Sequence, residues 1–168
     1  MSQTLRSSHQ FTDSEATLAH VLARRVSDRG DKPWILAGSR AFTYSDVDEL
    51  ASRFAAALAR LGVTRGDTVL LMLNNCIEFI ALWCALSKIG AIEVPINCHY
   101  RGRLLAHVVN DSHARVMIVD EEHLPRLAAI TKEITTLTTL VVFGTQQREL
   151  DAAASVGAMR VLDRKSVV

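Results

Sequence analysis

Cysteine is scarce. The three residues Cys76, Cys84 and Cys98 are an odd number with no C-x-x-C pair. This argues against a disulfide framework and a zinc ribbon, and makes a reducing cytoplasm the expected compartment. An excess of charge of one sign is also missing. Nineteen Lys and Arg face 18 Asp and Glu, for a formal net charge of +1. No strong field exists to recruit nucleic acid or an anionic membrane. Long hydrophobic runs are absent too. The most apolar stretch, Ile77 to Leu86, carries Glu78 and is too short to span a bilayer. Met1 to Phe11 is polar, without the apolar core of a signal peptide. Neither G-x-x-x-x-G-K-S/T nor G-x-G-x-x-G occurs, and spacing reveals no nucleophile–base pair or carboxylate dyad.

The 168 residues, 49% hydrophobic and 22% charged, suit one globular unit with a real core. Residues 1–13 are polar and expected to be disordered. From Thr17, the spacing of Leu18, Val21, Leu22 and Val26 predicts a helix that ends at Gly30. Two short runs, Trp34–Leu36 and Ala41–Tyr44, flank Gly38-Ser39-Arg40 and read as a β-hairpin. Thr43 with Asp46 forms a capping box. Val47, Leu50, Ala51, Phe54, Leu58 and Leu61 then mark one helix face, and Gly62 closes it.

Gly66-Asp67 reads as turn chemistry leading into an apolar strand, Thr68–Leu73. Asn75 with Glu78 predicts a capped start for a helix over Ile77–Ile89, apolar almost all round and expected to be buried. Gly90 ends it. A strand Ile92–Ile96 follows, with Pro95 suited to a strand end. Next come a helix from Gly102 to Val109, a strand Arg115–Val119, a weaker helix Leu124–Ile134 and a strand Leu137–Phe143. This alternation predicts an α/β fold, a parallel sheet flanked by helices with a small N-terminal β-hairpin. After Gly144 the periodicity fades.

The ordered set Phe42-Thr43-Tyr44, Gly62-Val63, Gly66-Asp67, Asn74-Asn75-Cys76-Ile77-Glu78, Gly90-Ala91 and Val94-Pro95-Ile96-Asn97 resembles the start of the adenylate-forming (AMP-binding) superfamily. That family contains acid– and acyl-CoA synthetases, peptide-synthetase adenylation domains and luciferases. The resemblance covers about Thr17 to Gly144. It implies residues 14–144 as the first subdomain of an adenylate-forming ligase N-terminal domain, with 145–168 a poorly matching tail. The full-length reaction it implies joins a carboxylic acid to CoA at the expense of ATP, with Mg2+, releasing AMP and pyrophosphate. The Ser/Thr/Gly-rich phosphate loop with its lysine, the adenine segment and the lid lysine of such enzymes do not occur in these residues. Gly38-Ser39-Arg40 and Gly144-Thr145-Gln146 are too short to replace the loop. The expectation is therefore a truncated ligase, inactive alone, with no catalytic residue and no metal site.

In CoA ligases the loop after the Val-Pro strand often reads Asn-Pro-Arg, and its arginine can face the CoA phosphates. Here Cys98 and His99 take the last two places. His99, Arg101 and Arg103 are the residues that could supply charge or donors to those phosphates instead; an ordinary basic surface loop is the other reading. The loop around Asn97 resembles that of carnitine- and medium-chain-acid ligases. A metal site from His99, His107, His113 and Asp111 is set aside, since His113 falls past the helix end. Cys84 reads as an inert core thiol. Few charges guard strands Thr68–Leu73 and Leu137–Phe143, which predicts self-association through exposed apolar surface. Two further readings stay open: a non-catalytic binding or assembly module, and an unrelated flavodoxin-like nucleotide-binding domain.

Overall fold

A computed structural model describes residues 12, 16–144 and 159–163. The N-terminal segment 1–13, Thr12 aside, and most of the tail 145–168 lie outside these residues. Helix α1, Leu18–Arg29, starts where Thr17 accepts a hydrogen bond from the His20 amide. Strands β1, Pro33–Ala37, and β2, Arg40–Thr43, form the antiparallel hairpin, turning at Gly38 with φ 60°. The rings of Trp34 and Tyr44 stack across its base, centroids 5.0 Å apart.

Thr43 and Asp46 close the capping box of α2, Tyr44–Arg60. The Asp46 amide donates to Thr43 Oγ1 at 3.1 Å, and the Thr43 amide to Asp46 Oδ2 at 2.8 Å. Of the face read from spacing, Val47, Ala51, Phe54 and Leu58 are buried, while Leu50 is only half-buried.

The main sheet has five parallel strands in the order β4-β3-β5-β6-β7. They are β3, Thr68–Met72; β4, Ile92–Pro95; β5, Val116–Asp120; β6, Thr139–Phe143; and β7, Arg160–Asp163. Helix α3, Ile77–Ile89, joins β3 to β4, and α4, Gly102–Asp111, joins β4 to β5. The strand pattern divides the core cleanly. Val69, Leu71, Val116, Ile118, Val141 and Phe143 pack with α1, α2 and α3 on one face. Leu70, Met72, Met117, Val119, Leu140 and Val142 pack with α4 and α5, Leu124–Ala128, on the other. Continuous apolar strands are what burial on both faces requires. Lys88 ties α3 to α2 by an ion pair with Asp48 at 2.8 Å.

Five details differ from the sequence reading. The helix predicted over Leu124–Ile134 is α5 flanked by 3-10 turns at Glu121–His123 and Thr131–Glu133. Leu124, Leu127 and Ile130 are all buried and hold this broken segment in the core on that face of the sheet. Asn75 does not cap α3; Cys76 is the N-cap and offers no side-chain hydrogen bond. Helix α3 is not covered all round, since Trp83 is 48% exposed. Strands β3 and β6 have neighbours on both sides, so they are not the exposed edges on which the self-association argument rested. Strand β7, unpredicted, pairs with β6 beyond the point where the periodic pattern fades.

Candidate functional site

The chain runs from β3 outward to β4, then crosses back over β3 to β5. The connection from β3 therefore runs one way along the sheet and that from β5 the other, which makes the carboxyl ends of β3 and β5 a topological switch point. In open parallel sheets such a switch point is the usual place for a ligand. It was invisible in the sequence, because strand order is not a local property.

Three segments meet there. Asn74 and Asn75 follow β3, Asp120 ends β5 and leads into Glu121–His123, and Asn97 to Arg101 follow β4. The Asn74 amide donates to Asp120 Oδ2 at 2.7 Å, and the Asn74 side-chain amide donates to Glu122 Oε1. Burial pushes the Asp120 carboxyl above its ordinary range, against the opposing Asn74 hydrogen bond. The Arg126 guanidinium donates to the Cys98 carbonyl and so pins the β4 loop to α5. The Cys98 thiol contacts the Leu73 carbonyl at 3.4 Å, and burial pushes its pKa up.

His123 stands apart. It is the one buried polar or charged residue among those described, 3% exposed. Neither ring nitrogen has a hydrogen-bond partner. Its Nε2 lies 3.9 Å from Glu122 Oε1, beyond hydrogen-bond range. Burial, with Arg126 second, holds the imidazole below its ordinary pKa. Nothing in the sequence singles out His123, which follows two glutamates.

The three basic candidates occupy the β4 loop and the first turn of α4. The His99 amide donates to Asn97 Oδ1 at 2.9 Å, and Arg101 donates to the His99 carbonyl at 2.8 Å. Both are exposed, as is Arg103. One hydrogen bond links His99 to Arg101; nothing links either to Arg103. The Gly66-Asp67 turn is turn chemistry as read, with Asp67 Oδ2 accepting from the Thr64 amide at 2.7 Å and hydroxyl at 2.8 Å. His113 lies beyond α4 with φ 55°, and it joins no cluster of metal-ligand type.

The sequence matches the AMP-binding enzyme family over residues 22–164. The chain belongs to that family. AMP-binding enzymes similar to it include a medium/long-chain-fatty-acid–CoA ligase of Mycobacterium tuberculosis, 34% identical over 116 residues, 69% of this chain and 19% of the relative. A crotonobetaine/carnitine–CoA ligase of Salmonella paratyphi B is 36% identical over 97 residues, 58% of this chain and 19% of the relative. An anthranilate CoA ligase solved with anthranoyl-AMP superimposes with a TM-score of 0.73 at 29% identity, covering 77% of this chain and 25% of that one. The α/β fold, a parallel sheet between helices with a small hairpin, is that of an adenylate-forming ligase N-terminal domain. The chain spans about a fifth of the length of these two curated relatives. No helix among the described residues is long and apolar enough to cross a membrane.

At this switch point Asp120 and Glu122 present carboxylates, whereas backbone donors with a cation are what phosphates require.

Proposed function

We propose that residues 14–144 are the first subdomain of an AMP-forming acid–CoA ligase, acting in the cytoplasm. The supporting observation is the family match over 22–164, with curated relatives that are ligases of fatty acids and of carnitine. The reaction of the whole enzyme would join a small carboxylic acid to CoA, with ATP and Mg2+. This subdomain's part in it is structural: it supplies one packed layer of the larger domain. ATP would be held by segments other than these, since Asp120 and Glu122 place carboxylates at the switch point and no lysine-bearing phosphate loop occurs in the sequence.

CoA fits one place better. His99, Arg101 and Arg103 are exposed, close in sequence and positively charged or chargeable. Arg101 uses one guanidinium nitrogen on the His99 carbonyl; its other nitrogen and Arg103 would face the CoA phosphates, orienting the nucleotide without taking part in bond making. The purified 168-residue chain should also self-associate. The support is now Leu36, Trp83, Ile92 and Leu104, between 48% and 77% exposed, rather than the interior strands β3 and β6.

Two measurements test this reading. ATP–pyrophosphate exchange by the purified chain, across a panel of carboxylic acids, should give no signal; a clear signal would show a complete catalytic site. Titration with CoA and with dephospho-CoA should show weaker binding of the latter, and the difference should vanish in Arg101→Ala/Arg103→Ala. Equal binding of both would remove the phosphate contact.

A further inference from the structure

We propose that Asp120, Glu122 and His123 form a binding site for a divalent transition ion of the zinc type. Imidazole and carboxylate are the donors such an ion prefers, and an ion bound by three protein groups keeps one position for water. All three side chains come from the exit of β5 and the 3-10 turn that follows it, so the backbone holds them together in any state in which the sheet is formed.

The geometry fits. The donor atoms of the three residues all lie within 4.8 Å of one another. Two ligands that share one zinc ion at about 2.1 Å stand roughly 3–4 Å apart. His123 Nε2 and Glu122 Oε1, at 3.9 Å, already have that separation. Glu122, whose side chain is 63% exposed, can shift together with the Asn74 amide that donates to it.

His123 is what lifts this above an ordinary acidic cluster. A buried polar side chain is normally hydrogen-bonded, and leaving it unpaired costs about 1–3 kcal/mol. His123 is 3% exposed, its two ring nitrogens are unpartnered, and one of them lies within 4.8 Å of a carboxylate oxygen of both Asp120 and Glu122. A metal ion satisfies that nitrogen where no donor or acceptor of the chain does. The neutral imidazole is the form that ligates, and the guanidinium of Arg126 lies near it. Arg126 also repels a cation, but its guanidinium is engaged with the Cys98 carbonyl, and Asp120 and Glu122 together offset it. Asn74 supports the site from β3, its backbone amide on Asp120 and its side-chain amide on Glu122, as outer partners of metal ligands do. Magnesium suits it poorly, because that ion favours six oxygen ligands and retains its water.

The test uses the whole 168-residue chain, stripped with chelator and titrated with Zn2+ against a chromophoric competitor. Co2+ provides a visible spectrum, and Mg2+ is the control. The expected result is about one Zn2+ per chain, a raised melting temperature, and a Co2+ band that reports nitrogen and oxygen ligation. Glu122→Gln, at an exposed position, should keep the far-ultraviolet circular dichroism and weaken Zn2+ binding at least tenfold, about the size of effect seen when a metal site loses one supporting group. Asp120→Asn should do the same. Should His123→Ala fail to fold, Glu122→Gln decides. Zn2+ binding that is undetectable at tens of micromolar overturns the site. So does binding unchanged in Glu122→Gln, which would place the ion on exposed His20, His99 or His107. Equal stabilisation by Mg2+ would overturn the zinc class.

Discussion

Phe54, near the middle of α2, stacks on Phe143 at the end of β6, ring centroids 5.9 Å apart and planes 26° from parallel. The contact joins an early helix to a strand almost 90 residues later, across the face that also carries α1 and α3. Both rings are buried, at 2% and 8% exposure. Phe54→Ala should destabilise the fold by about 3–5 kcal/mol, the usual cost of emptying an aromatic site in a core. Denaturant melts measure it. A change below about 0.5 kcal/mol would mean that α2 does not pack on β6. Phe54→Leu should cost clearly less.

The capping box gives a smaller effect. Thr43→Ala removes the hydroxyl that accepts from the Asp46 amide and should cost about 1 kcal/mol. Thr43→Ser keeps the oxygen and should restore most of that. Equal losses in the two variants would assign the effect to the methyl group instead.

Glu93 makes stability depend on pH in an unusual direction. It sits on edge strand β4, half-buried, and burial raises its carboxyl from 4.5 to about 7. The folded chain therefore binds this proton more tightly than the unfolded chain does. The folded state loses stability as pH rises from about 4.5 to about 7. Glu93→Gln should be more stable than the parent at pH 8, with the gap closing near pH 4.5. Thermal melts at both values check this; a gap independent of pH would contradict it.

Cys84 is buried within α3, and burial raises its thiol to about 11. It should resist a thiol reagent in the native chain and react only on denaturation. Cys76 and Cys98 are partly exposed, with thiols also raised, so both should react slowly at neutral pH and faster as pH rises. Rapid native modification of Cys84 would show that α3 opens readily.

The sequence carried most of the local structure and little of the site. Hairpin, caps and strands were legible because each depends on near neighbours. Thr43 finds Asp46 three residues away, and Gly38 turns the chain within two. Burial of alternate β3 residues on two faces followed from an unbroken apolar run. The switch point was not legible. Asn74 meets Asp120 across 46 residues, and only strand order brings them together. His123 was passed over because nothing local distinguishes a buried histidine from an exposed one after a pair of glutamates. Charge patterning likewise reports how apolar β3 and β6 are, but only strand order shows that both are interior and present no edge.

The most direct measurement of the account is a chimera. Residues 22–144 of this chain replace the corresponding segment of the Salmonella crotonobetaine/carnitine–CoA ligase, and the product is assayed for ATP–pyrophosphate exchange with that enzyme's acid. If these residues are the first layer of an AMP-forming ligase, the chimera folds and exchange stays well above background. A soluble, folded chimera with no exchange, beside an active parent, would contradict the assignment.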